Sequence, residues 1–204
     1  YHDTHDHNLV LEALESLDFP ESGRRNVKKK GDRTPVYGFC LGMTENWVGG
    51  CMPSRATRER PHIAEMLCAF ASYSQPGFEF TSIQVNKDYA AAMHVDKNNS
   101  GPSFIVGLGD YTGGQLWTEN DGKYGKIVNL KNRWFKFDGN DAHCVLPFRG
   151  RRYTIVYFTR SKGHGGDVGA DPDSKSAQRL LRLGFPLPKV PPYLKAHLPA
   201  ALRV

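Results

Sequence analysis

Apolar positions recur along this chain with two different periods, and the period changes near residue 78. Before that point, NLVLEALESL (8–17) carries apolar residues at helical spacing behind an asparagine suited to capping. RATRERPHIAEMLCAFASYS (55–74) predicts a second helix across 59–73, with Ile63, Met66, Leu67 and Phe70 on one side. Between the two, ESGRRNVKKKGDR (21–33) reads as a charged, glycine-containing loop and VYGFCLGM (36–43) as a strand. After residue 78, eight short runs alternate with turns: FEFTSIQVN, YAAAMHVD, SFIVGLG, GGQLWTE, GKIVNL, RWFKFD, HCVLPF and RRYTIVYFTR. Strands at this spacing predict a mainly β fold with flanking helices (α+β). Eight of them in two four-stranded sheets make a double-stranded β-helix, or jelly roll.

The two ends are patterned differently. The first seven residues hold three histidines and read as a disordered polar terminus. SKGHGGDVGADPDS has loop composition, a short helix is predicted at 174–183, and 186–199 is proline-rich. There is no internal repeat. The expected organisation is one domain: a helical and strand support region at 1–77, the β-helix core at 78–160, and a loop, short helix and proline-rich tail at 161–204.

Composition narrows the classes. A chain of 204 residues with 39% hydrophobic content can bury one real core. Eleven Phe, nine Tyr and three Trp fill such a core, while 21 Gly and 13 Pro suit frequent turns. No run of about 18 apolar residues is present, which argues against a membrane-spanning helix, and YHDTHDHN lacks the regions of a signal peptide. The chain opens on Tyr, so it is expected to be a processed protein or part of a longer one. Cys40, Cys51, Cys68 and Cys144 form no CxxC pair, which predicts reduced thiols and an intracellular, including nuclear, location. A net charge of +6 tilts the expected partners toward polyanions, and a monomer is expected.

Candidate chemistry starts in AMHVDKNNSGPS (92–103). His94 and Asp96 lie two apart, so on a strand both side chains point to one face. Two histidines and one carboxylate can hold Fe(II) from one side and leave three positions open. His143 is the candidate third ligand, opening the apolar run HCVLPF 49 residues after His94. GGQLW (113–117) sets two glycines at a turn before a strand, and GRRYTIVYF (150–158) puts Arg152 and Thr154 on one face. An arginine pointing into a β-barrel requires an anion, and a dicarboxylate fits that need. Asp110 and Asp141 are explained by turn chemistry, and His62, His164 and His197 read as surface residues. Trp117, Trp134 and Phe137 read as core, and Arg149 and Arg151 as either solvated or phosphate-facing.

HVD (94–96), GGQLW, His143 and GRRYT (150–154) together resemble the core motifs of the Fe(II)/2-oxoglutarate dioxygenase superfamily: HxD, a GG-x-L strand, a distal His and an Arg-x-Ser/Thr strand. The resemblance covers 78–160. It implies an enzyme that uses Fe(II), 2-oxoglutarate and O2. His94, Asp96 and His143 would be the metal ligands and catalytic centre, Arg152 the partner of the distal 2-oxoglutarate carboxylate with Arg151 as rival, and Thr154 a donor to the same group. Asn86 and Tyr89 are similar to the Asn-x-Tyr cosubstrate positions of nucleic-acid dealkylases, although here two residues separate them. HVDKNNSGPSFIVGLGDYTGGQLW is most similar to the TET/JBP group, including algal relatives that use ascorbate. That likeness implies hydroxylation of the methyl group of 5-methylcytosine or thymine, with DNA or another nucleic acid meeting basic stretches at 24–33 and 149–152. Two alternatives remain: hydroxylation of a small molecule or protein side chain, and an inactive jelly roll serving as a binding module.

Overall fold

The computed structural model describes residues 4–24, 27–45, 51–119, 124–160 and 174–188. His164, His197 and most of the proline-rich stretch lie outside these residues. Helix α1 (Thr4–Glu15) begins earlier than the expected 8–17 helix and replaces most of the expected disordered terminus. The reason is a buried stripe in which His7, only 3% exposed, precedes Val10 and Leu14 at helical spacing. The polar composition of the terminus hid it.

The single helix expected at 59–73 is two helices, α2 (Arg55–Glu59) and α3 (Pro61–Ser74). Ser54 caps α2 by accepting from the Thr57 amide, and Arg60 breaks the run at φ −130°, ψ 54°. A residue before proline is disfavoured in the helical region, whereas Pro61 suits the first helical position. The buried stripe of α3 is Ala64, Leu67, Cys68, Phe70 and Ala71, and the expected Ile63 and Met66 flank it half-buried.

Eleven strands are present among the described residues: β1 (Tyr37–Glu45), β2 (Cys51–Pro53), β3 (Ser82–Lys87), β4 (Ser103–Leu108), β5 (Tyr111–Gly113), β6 (Leu116–Thr118), β7 (Lys126–Val128), β8 (Phe135–Phe137), β9 (His143–Val145), β10 (Phe148–Gly150) and β11 (Tyr153–Phe158). A last helix, α4, covers Lys175–Arg182 as expected. The hydrogen-bonded orders are β2-β1-β3-β11-β4-β8, β7-β6-β9 and β10-β5, so in place of two four-stranded sheets the described residues form sheets of six, three and two. Pairing is mostly antiparallel, including β4 with β8 and β6 with both β7 and β9. YAAAMHVD is not a strand: the backbone bends at Met93 and keeps a single bridge, His94 to His143.

Contacts group the chain into two compact units. Unit 1 is Tyr1–Phe39, Gln84–Lys97 and Pro102–Val156; unit 2 is Cys40–Ile83, Asn98–Gly101 and Tyr157–Val204. In unit 2, Phe80 meets Tyr157 and Phe185 at ring-centroid distances of 5.1 and 5.8 Å. The buried Tyr157 hydroxyl donates to the Leu67 carbonyl. In unit 1, Ile105, Leu116, Leu130 and Phe137 form a buried cluster with Val128, Phe135 and Val156 packed against it. The apolar faces of β4, β6 and β8 therefore meet there, and the polar residues below belong to this unit. Among the described residues, no helix is long and apolar enough to cross a membrane.

Candidate active site

Backbone pairing brings the two histidines together. The His94 and His143 amides each donate to the other's carbonyl at 3.0 Å, and the Asp96 amide donates to the Gly139 carbonyl at 2.7 Å. Both imidazoles are then oriented alike: His94 Nδ1 lies 2.7 Å from the Ala92 carbonyl and His143 Nδ1 lies 2.8 Å from the Asp141 carbonyl. A carbonyl can only accept, so in the neutral rings each Nδ1 carries the proton and each Nε2 presents a lone pair. Burial and the neighbouring His143 ring hold the His94 imidazole below its usual pKa range, which favours that neutral form.

Asp96 completes the group. Its Oδ1 lies 3.9 Å from His94 Nε2 and its Oδ2 lies 3.9 Å from His143 Nε2. One donor atom from each of the three residues falls within 4.8 Å of the others. Donors sharing a metal through bonds of about 2.1 Å sit roughly 3 Å apart at adjacent positions, so a contraction of about 1 Å would suit a first-row dication. The donor set of two imidazoles and one carboxylate fits such an ion. Asp110, by contrast, is a solvent-exposed partner of Lys131, and Asp141 contributes its carbonyl to His143.

A second polar group surrounds Arg152. Its backbone is fixed at both ends by Asp88, whose carboxylate accepts the Arg152 amide and whose own amide donates to the Arg152 carbonyl, both at 2.7 Å. Arg152 is 2% exposed, whereas Arg151 is exposed. Arg152 Nη2 donates to the Gly114 carbonyl at 2.9 Å, and the guanidinium lies over the rings of Tyr111 and Phe148 at 5.4 and 5.6 Å. Arg152 Nε has no acceptor among the described residues, and burial lowers the pKa of the group. The GG turn explains how the arginine fits. Gly114 adopts φ +66°, and a Cβ there would lie 2.7 Å from Arg152 Nε.

Thr154 is buried two residues on, and its Oγ1 accepts from Asn86 Nδ2 at 3.2 Å. Tyr89 is placed differently: its hydroxyl donates to the Val27 carbonyl, which also accepts from the Ala92 amide, both at 2.8 Å. Tyr89 thus ties the Val27 segment to the run that leads to His94. Trp117, expected in the core, is half-buried and pairs in register with the 61% exposed Ile127, whereas Phe137 is buried.

Three further residues escaped the sequence reading. Arg24 Nη2 lies 3.2 Å from Asp96 Oδ1 across 72 residues of chain. The buried Tyr111 hydroxyl faces the Arg152 guanidinium without meeting hydrogen-bond geometry, and burial raises its pKa more than the arginine lowers it. Gln84 Nε2 donates to Asn86 Oδ1 at 3.1 Å. The first two contacts join segments distant in sequence and no motif announces them; the alternating polar residues of SIQVNK were the one available signal for Gln84.

No protein-family model and no curated protein matches this chain. Among solved structures it is similar to an oxidoreductase of the 2OG-Fe(II) oxygenase family from Burkholderia pseudomallei, with 18% identity, a TM-score of 0.55, and coverage of 79% of this chain and 82% of that one. It is also similar to NgTET1 in complex with 5mC DNA, with 16% identity, a TM-score of 0.51, and coverage of 78% and 70%. At these identities the likeness establishes a shared fold, the jelly roll expected from the strand pattern.

Proposed function

We propose that this chain is a non-haem Fe(II) oxygenase that hydroxylates a C–H bond, coupled to oxidative decarboxylation of 2-oxoglutarate. The observation that carries the reading is the joint presence of two chemically opposite groups in one unit. His94, Asp96 and His143 converge their lone pairs within 4.8 Å, and a buried arginine, Arg152, has a guanidinium nitrogen with no acceptor among the described residues. An unpaired buried charge is costly, so this arginine is best explained by an anionic ligand. The shared fold is consistent with that pairing.

His94 Nε2, His143 Nε2 and one Asp96 oxygen would hold Fe(II), which supplies O2 activation when bound. The carbonyls of Ala92 and Asp141 keep both rings in the ligating tautomer. Arg152 and Thr154 would hold the distal carboxylate of 2-oxoglutarate, with Asn86 behind Thr154 and the Tyr111 phenol as a further donor. Placing that charge among the buried donors Arg152, Tyr111 and Thr154 would fix the cosubstrate's orientation and limit competition from water for its oxygens. Ascorbate in place of 2-oxoglutarate would leave the Arg152 group unused.

For the substrate we favour the methyl group of 5-methylcytosine or thymine in DNA. Lys29, Lys30 and Arg33 are exposed on the segment whose Val27 carbonyl is held by Tyr89 and by Ala92, two residues before His94. Phosphate contacts there would help offset the few kcal/mol needed to extrude a base. The similar NgTET1 structure holds 5mC DNA. The test is mass spectrometry of nucleosides after incubation with methylated and unmethylated DNA and Fe(II), with and without 2-oxoglutarate. An oxidised base that requires 2-oxoglutarate is expected. Succinate formation without an oxidised base would move the substrate to a small molecule or protein side chain, and absence of iron binding would leave a binding module.

A further inference from the structure

A chain of amide groups behind Thr154 fixes which way its hydroxyl proton points. Gln84 Nε2 lies 3.3 Å from the Val85 carbonyl and 3.1 Å from Asn86 Oδ1. A backbone carbonyl can only accept, so it identifies the Gln84 atom beside it as the NH2 group. That NH2 also donates to Asn86, which makes the facing Asn86 atom its carbonyl oxygen. The Asn86 NH2 is therefore the atom that donates to Thr154 Oγ1, at 3.2 Å. Each link follows from the one before it, starting from a backbone group whose role is never in question.

The consequence lies at the last link. Thr154 Oγ1 already accepts from Asn86, and it donates no hydrogen bond among the described residues. Thr154 is 4% exposed, so solvent does not readily take that role. The Gln84 amide is itself confined, since it is 8% exposed and the Gly38 Cα carries no side chain where a Cβ would lie 3.3 Å from Gln84 Nε2 and Asn86 Oδ1. We propose that Gln84 is a positioning residue: through Asn86 it commits the Thr154 hydroxyl to donating, so that this hydroxyl and Arg152 present only donors to a carboxylate. The inference rests on the reading of the Arg152 group as the 2-oxoglutarate anchor.

The test is a double-mutant cycle read by calorimetric titration of 2-oxoglutarate into the anaerobic Fe(II)-loaded protein. Gln84→Leu removes the fixed point and frees the Asn86 amide to turn over, and Gln84→Glu inverts the polarity by accepting where glutamine donates. Either should weaken 2-oxoglutarate binding about five- to tenfold, and Thr154→Val should weaken it about tenfold. In the Thr154→Val background the Gln84 substitution should cost less than twofold more, because the hydroxyl it orients is gone. Should Gln84→Leu fail to fold, Gln84→Glu carries the same cycle. The proposal is overturned if both Gln84 variants bind like the parent, or if their loss persists undiminished beside Thr154→Val. A parent protein that binds iron but not 2-oxoglutarate overturns the anchor reading, and this proposal with it; the two failures are told apart by the parent titration alone.

Discussion

The two polar groups of unit 1 are made of opposite materials. Around His94 the side chains offer lone pairs: the two imidazoles are 9% and 7% exposed, and Asp96, 22% exposed, already shares an ion pair with Arg24. Around Arg152 the side chains offer protons, from Arg152 Nε, Tyr111 and Thr154, and they are almost fully enclosed. Lone pairs at a partly wet site can be satisfied by water, so the first group alone would be compatible with many roles. Buried donors cannot be satisfied that way, and a guanidinium without a carboxylate partner costs the fold stability. The Arg152 group therefore says more about a ligand, while the His94 group says more about chemistry.

The largest expected effect is on the lone-pair side. Asp96→Ala or His143→Ala should weaken Fe(II) or Co(II) binding by about a hundredfold or more, since even residues one shell further out cost ten- to a hundredfold. Metal titration with circular dichroism measures this loss beside an unchanged fold. Next comes the donor side. Arg152→Met should weaken 2-oxoglutarate binding about ten- to a hundredfold yet leave the ligand-free melting temperature equal or higher, because it removes a buried charge that lacks a carboxylate. A large drop in melting temperature would make Arg152 a structural residue and dissolve the contrast between the two groups.

Smaller effects probe the supports. Arg24→Met should lower metal affinity about tenfold by releasing Asp96, with Arg24→Gln closer to the parent because it retains a donor. An unchanged Co(II) titration for Arg24→Met would show that Asp96 holds its position unaided. Gly114→Ala places a methyl group against Arg152 Nε at a positive φ. It should cost about 1–2 kcal/mol in denaturant unfolding and weaken 2-oxoglutarate binding several-fold, leaving metal binding intact. Equal losses at both groups would mean that they are not separable.

The sequence made the first of these groups easier to read than the second. His94, Asp96 and His143 are legible because ligand chemistry demands particular residue types, which stand out in apolar runs, and the fold brings them together. Arg152 and Thr154 are legible as a pair because an inward-facing arginine is conspicuous on a strand, and both are buried. Arg24 and Tyr111 were missed because their roles depend on contacts made only in the folded chain. Of the fold, the β-rich class was legible from turn spacing, but the sheet count was not, since β1 and β2 come from the region before residue 78. Period-2 alternation overcalled a strand at 89–96, where Met93 bends the backbone. On the helical side, apolar spacing overlooked Pro61, which divides α2 from α3, and the buried His7 in α1.

The reciprocal backbone bonds between His94 and His143 also bear on the timing of ion capture. They are main-chain bonds that join two residues 49 positions apart in the sequence. Closing a loop of that length costs about 3 kcal/mol of chain entropy, and the folded backbone has already absorbed it. Uptake at the proposed site would then need only the contraction of three side chains by about 1 Å, and would be first order in ion concentration and independent of the refolding rate. A chelator should strip the ion from the folded chain and leave the melting curve nearly where it was, unlike domains whose metal is their folding energy.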